Sequence, residues 1–233
     1  MRSQPDALML FAAGFGTRMG ELTATRPKPL IEVAGKALLD HALEIAQAAG
    51  IRRRVVNLGY LGDQIRAHLA GQAILFSDET GSILETGGGL RRATGLLGGG
   101  PVFTLNTDAV WTGSNPLTAL AAAWDAERMD ALALLVPRDR ATGHAGPGDF
   151  TLDAAGRLAR GRDYVYTGAQ IIQTTAVQGF EEEKFSLNPV WDRIAAEGRL
   201  FGCVHSGGWC DVGRPECIEA AEDMIRRHGN VRA

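Results

Sequence analysis

Four groups of residues carry the chemistry available to this chain. The first is a glycine-bearing run behind an apolar stretch, Ala12-Ala13-Gly14-Phe15-Gly16-Thr17-Arg18-Met19. Glycines directly after a strand let backbone N–H groups close on a phosphate chain, forming an anion nest at the carboxyl edge of a sheet. The second is Arg26-Pro27-Lys28-Pro29-Leu30, which sets cations just beyond that nest. Prolines at 27 and 29 restrict the backbone around Lys28 and predict an extended, preorganised presentation. The third is Asp108, at the end of an apolar strand, and the fourth is Asp211, between Trp209 and Gly213. Two separated carboxylates are what Mg2+ takes from a protein when phosphate oxygens complete its shell. Such a set positions and neutralises phosphates.

Competing chemistries lack their residues. A dinucleotide fingerprint needs a third glycine where Met19 stands, and a Walker loop needs a Gly-Lys-Ser/Thr that does not occur. The histidines at 41, 68, 144, 205 and 228 form no HxxxH or HxH pattern, and Ser82, Ser186 and Ser206 lack a nucleophile-elbow turn. Cys203, Cys210 and Cys217 fall seven apart with no CxxC pair, which reads as reduced thiols in a cytoplasm. The net charge of −3, from 27 acids and 24 bases, offers no basic patch for nucleic acid or an anionic membrane. No apolar run nears the ~20 residues of a spanning helix. These features predict a soluble cytoplasmic protein.

The elements that position the groups alternate in type. Apolar runs predict strands over 8–13, 55–58, 73–76, 102–105 and 131–136. Helical spacing predicts helices over 38–49, 62–69, 89–97 and 116–128, the last capped by Asn115 ahead of a proline. Further on come a strand over 164–173, a helix over 188–197, a strand over 200–204 and a helix over 215–227. In 233 residues without an internal repeat or linker, this predicts one domain spanning 1–233. Its class is α/β: a Rossmann-like, mostly parallel sheet with helices on both faces.

The glycine run followed by Pro27-Lys28-Pro29-Leu30 resembles the signature of the sugar-1-phosphate nucleotidyltransferases, and the likeness extends over nearly the whole chain. That resemblance implies the nucleotide-diphospho-sugar transferase fold, with Ala13, Gly14, Gly16 and Thr17 on the triphosphate and Arg18 and Lys28 as catalytic cations. Leu84-Glu85-Thr86-Gly87-Gly88-Gly89 resembles the loop that holds the base, giving Glu85, Thr86 and Gly88 to the nucleotide. Leu105-Asn106-Thr107-Asp108 and the segment from Trp209 to Glu216 resemble the metal-binding motifs, with Asp108 and Asp211 as Mg2+ ligands. Asn106, Asp149, Thr167 and Gly168 go to the sugar side by resemblance alone. Glu21, Glu32, Thr107 and Arg214 depart from the family's usual residues, but none of them removes a charged catalytic group.

The implied reaction joins a nucleoside triphosphate to a sugar 1-phosphate and releases pyrophosphate, in a monomer or a dimer. Short length, the Glu-Thr-Gly-Gly-Gly run and Gly148-Asp149-Phe150 resemble the family's N-acetylmuramate-1-phosphate uridylyltransferases, hence UTP and N-acetylmuramate 1-phosphate. GTP with mannose 1-phosphate fits the same residues. Arg138, Arg140 and His144 are the candidates to meet a lactyl carboxylate. Two other readings are a non-catalytic nucleotide-sugar sensor and a cytidylyltransferase with a tryptophan cage for an amino alcohol, drawn from Trp111, Trp124, Trp191 and Trp209.

Overall fold

A computed structural model describes residues 3–232. Its strands are β1 (Ala7–Phe11), β2 (Arg53–Leu58), β3 (Leu75–Asp78), β4 (Pro101–Asn106), β5 (Ala109–Trp111) and β6 (Ala131–Pro137). They continue as β7 (Ala141–Thr142), β8 (Phe150–Leu152), β9 (Leu158–Arg160), β10 (Tyr164–Gln173), β11 (Leu200–Val204) and β12 (Trp209–Asp211). The helices are α1 (Leu38–Ala48), α2 (Gly62–His68), α3 (Glu85–Leu97), α4 (Pro116–Ala123), α5 (Asn188–Ala196) and α6 (Glu216–His228). The main sheet runs β3-β2-β1-β4-β10-β6-β11, with the β8-β9 hairpin beside the start of β10. Apart from that hairpin, every strand of the main sheet is parallel to its neighbours except β10, which is antiparallel to both β4 and β6. The sheet is therefore mostly parallel, and its central strands are largely apolar because both faces are covered.

Strand alternation assigns those faces. Leu8 and Leu10 of β1 pack with Leu39, Leu43 and Ala46 of α1, Ile65 of α2 and Leu117 and Leu120 of α4. Ala7 and Met9 point the other way, to Leu90, Ala93 and Leu97 of α3 and Val190 and Ile194 of α5. A third cluster, with Val110, Cys210, Val212, Ala221 and Met224, seats α6 against a small sheet of β7, β12 and β5.

Several boundaries differ from the sequence expectation, among them those of α3, α4 and β3. Helix α3 begins at Glu85 rather than Gly89, so the glycine run lies in its first turns instead of forming a loop. Helix α4 ends at Ala123 rather than Arg128: Trp124 turns extended, burying its ring while its Nε1 donates to Ser3 O at 2.9 Å. Strand β3 starts at Leu75, two residues later than the apolar run 73–76 begins.

Candidate active site

The carboxyl ends of β1 and β4 open into a cleft of about 290 Å3, walled by Ala12, Ala13, Gly14, Gly16, Thr17, Arg18, Lys28, Glu85, Thr86, Asn106 and Asp108 among others. Its floor is a buried polar link. Asn57 Oδ1, at the end of β2, accepts from Ala12 N at 2.6 Å and Ala13 N at 3.2 Å. Asn57 Nδ2 donates to Glu79 Oε1 at 2.8 Å, and Glu79 Oε2 accepts from Leu84 N at 2.9 Å. Glu79 is only 2% exposed, and burial raises its carboxyl pKa. One side chain from each of two neighbouring strand ends thus ties the glycine loop to the start of α3. Sequence reasoning passed over both; the available signal was an asparagine inside the apolar run Val55-Val56-Asn57-Leu58.

The glycine loop bends back onto Lys28. Gly16 has φ +64°, and a Cβ there would stand 2.8 Å from Lys28 Cβ, so both conformation and space require glycine. Its carbonyl accepts from Met19 N at 2.9 Å and from Thr23 Oγ1 at 3.1 Å, closing a short 3₁₀ segment that carries Arg18. Pro27 is extended as expected, but Lys28 itself starts a 3₁₀ turn through Leu30. The turn drives the lysine inward instead of leaving it partly in water. It is 8% exposed, and its Nζ donates to Asp108 Oδ2 at 2.8 Å.

Backbone pairing supplies the second carboxylate. Strand β5 follows Asp108 immediately and runs antiparallel to β12, setting Asp211 opposite Ala109, while Val212 N donates to Asp108 O at 2.8 Å. Burial raises the Asp211 carboxyl pKa and the Asp108 charge adds to the rise; Lys28, Arg18 and His144 oppose it. Gly213 lies where Arg18 and Asp211 converge: a Cβ there would be 3.1 Å from Asp211 Oδ2 and 3.2 Å from Arg18 Nη1. Two carboxylates whose charges act on each other, one of them paired with an ammonium, fit a divalent cation. Among the described residues no third His, Cys, Asp or Glu joins them to complete a metal-binding group. Mg2+ takes as few as one or two carboxylates from a protein and keeps water and phosphate oxygens in its shell.

Other expected residues sit elsewhere. Gly88 is not in the cleft wall. A Cβ on it would meet Glu183 O at 2.4 Å, and Gly87 N and Gly88 N both donate to Phe185 O, at 2.9 and 3.0 Å. The glycines admit the segment 183–187 against α3 and do not present backbone to a base. Thr86 lines the cleft while its Oγ1 accepts from Leu187 N at 3.0 Å. Asp149, Thr167 and Gly168 are outside the cleft wall. Asp149 Oδ2 accepts from Tyr166 N at 2.8 Å, and buried Thr167 donates to Leu134 O at 2.7 Å. Gly168, at φ +84°, lies against the Asn106 side chain in the bulge of β10. Thr167 and Gly168 thus support Asn106 and the sheet. None of the four tryptophans lines the cleft: Trp111 and Trp209 pack edge-on at 6.4 Å, and Trp191 packs on Tyr166 and Phe150.

Residues 8–228 match the model of the MobA-like NTP transferase domain. The chain belongs to that family. Over 97% of its length it is 42% identical to an N-acetylmuramate alpha-1-phosphate uridylyltransferase of Caulobacter vibrioides, covering 99% of that protein. It is 34% identical to another such enzyme from Neisseria meningitidis, over 88% of this chain and 92% of that one. More distant relatives include mannose-1-phosphate guanylyltransferases. The fold matches a putative glucose-1-phosphate thymidylyltransferase of Bacillus anthracis with a TM-score of 0.78 at 16% identity, over 94% of this chain and 95% of the other. This MobA-like chain sets a glycine loop at the carboxyl end of its first strand.

Proposed function

We propose that the chain joins UTP to N-acetylmuramate 1-phosphate, releasing pyrophosphate and a nucleotide sugar. The observation that carries this is one cleft walled by the glycine loop, Arg18, Lys28 and Asp108, with the Asp211 carboxyl outside the wall but acted on by the charges of Asp108, Lys28 and Arg18, in a chain 42% identical to a uridylyltransferase of that substrate. The attacking atom is a phosphate oxygen, anionic at neutral pH, so the step needs no general base. The remaining work is alignment for in-line displacement at the α-phosphorus and neutralisation of charge.

Backbone N–H groups of residues 14–17 cradle the triphosphate. Arg18, exposed above them, meets the departing pyrophosphate. Lys28, held inward by its turn, serves the α-phosphate and the attacking phosphate as a compact point charge. Asp108 and Asp211 are the residues to hold Mg2+. When bound, that ion supplies charge neutralisation between the nucleotide and sugar phosphates. Asn106, braced by Gly168, faces the incoming sugar phosphate from the end of β4.

Pyrophosphate release over UTP and GTP crossed with N-acetylmuramate, N-acetylglucosamine and mannose 1-phosphates tests the proposal. Preference for UTP with N-acetylmuramate 1-phosphate supports it. GTP with mannose 1-phosphate overturns the substrates and keeps the reaction. No release with any pair overturns the reaction in favour of a sensor.

A further inference from the structure

Near Asp211 lies a depression of about 570 Å3, walled by Arg138, Asp139, His144, Ala145, Gly146, Arg162 and Asp163. Two contacts fix its position. On one side Gly143 packs on the Asp211 backbone, and His144 is close enough for its charge to act on the Asp211 carboxyl. On the other side Gly148 packs on the Arg162 carbonyl, while Asp149 N donates to Tyr164 O at 2.8 Å. The depression therefore lies between Asp211 and Asp149.

Its arginines carry no acidic partner among the described residues, unlike several others in the chain. Arg66, Arg160, Arg199 and Arg226 each hold an aspartate between 2.6 and 3.4 Å. Arg138 and Arg162 make no ion pair within 4.0 Å among the described residues, although Asp139 and Asp163 stand on the same wall. His144 Nε2 is buried there with no hydrogen-bond partner. Arg140 is committed elsewhere: its Nη2 donates to His205 O at 2.8 Å, and it lines a different cleft. Sequence alone offered Arg138, Arg140 and His144 together; the fold separates Arg140 from the group and brings in Arg162 from the β9-β10 turn.

We infer that Arg138 and Arg162 are the specificity residues that receive the carboxylate of an acidic sugar 1-phosphate. The inference rests on the reading of the chain as an N-acetylmuramate-1-phosphate uridylyltransferase, whose sugar carries a lactyl carboxylate. A guanidinium fork matches a carboxylate in two parallel hydrogen bonds, and a sugar lacking that group leaves both forks unmatched.

The experiment measures kcat/KM with UTP for N-acetylmuramate 1-phosphate and for N-acetylglucosamine 1-phosphate. It uses the wild type, Arg138→Met, Arg162→Met and Arg140→Met, with melting midpoints recorded for each. The expected result is that Arg138→Met and Arg162→Met lower the acid-to-neutral ratio by about 10- to 100-fold, the scale of one charge-assisted hydrogen bond, mainly through KM for the acid. Arg140→Met keeps the wild-type ratio. Equal losses on both sugars, or an unchanged ratio, in a wild type that prefers the acid overturn the inference alone. A wild type that prefers the neutral sugar overturns the substrate reading and the inference with it.

Discussion

The Lys28 ammonium stands 2.8 Å from Asp108 Oδ2, a pair closed between residues 80 apart in sequence. The Asp108 charge acts in turn on the Asp211 carboxyl, which Lys28 also influences, so one lysine serves two carboxylates. Lys28→Ala is expected to lower kcat by about 10²-fold or more, the scale for losing a group that stabilises transition-state charge. It is also expected to lower the melting midpoint, because it leaves like charges facing each other in a partly buried site. Turnover by pyrophosphate release and a thermal melt measure the two effects. An unchanged midpoint would show that the pair carries no structural weight.

Asp211→Asn should do the opposite to stability. Burial and Asp108 raise the Asp211 carboxyl pKa, so the folded state disfavours its ionised form at neutral pH. A carboxyl raised above its unfolded value costs stability above the folded pKa, and that cost disappears as pH falls through it. The asparagine variant is therefore expected to melt higher than the wild type in metal-free buffer at pH 7. Its turnover falls by about 10²-fold or more. In the wild type, exhaustive chelation should stop pyrophosphate release, and added Mg2+ should restore it. A lower-melting variant, or activity that persists in chelator, counts against the assignment of Asp211.

Gly88→Val inserts a side chain where Glu183 O already lies. The expected cost is about 1–3 kcal/mol of stability, as for overpacking of a well-filled site. Chemical denaturation reads it directly. A variant of normal stability with only a raised KM for the triphosphate would return Gly88 to the nucleotide.

Two buried histidines predict the acid limb of the stability profile. His41 Nε2 lies 2.9 Å from Val33 O, and His205 is 1% exposed with Nδ1 unpartnered. Burial lowers both pKa values from 6.5. The unfolded chain then binds protons that the folded chain refuses, so stability is lost as pH falls below 6.5 and levels off below the folded values. Denaturation of the wild type and His41→Gln from pH 7.5 to 5 checks this: the variant should show the shallower slope.

The central strands and the covering helices were legible because a strand buried on both faces is an unbroken apolar run, and helix α1 shows its stripe in sequence. The glycine loop, Lys28 and the two aspartates were legible as residue types at strand ends. What escaped was set by partners far along the chain. Gly87 and Gly88 look like loop residues until Phe185, about a hundred residues later, is seen to occupy the space they leave. Lys28 meets Asp108 from 80 residues away, and Arg162 joins Arg138 only across the β9-β10 turn. No local pattern records such meetings. Asn57 was the exception, a polar residue misplaced in an apolar strand, and that misfit was itself the signal.

The register of β12 on β5 also has a temporal side. Translation delivers the glycine loop, Lys28 and Asp108 early, while Asp211 exists only after most of the chain has been made. Pairing of β12 with β5 is therefore among the last contacts the finished chain can make around Asp108. The second carboxylate of the proposed metal site is the last of its charged groups to be made.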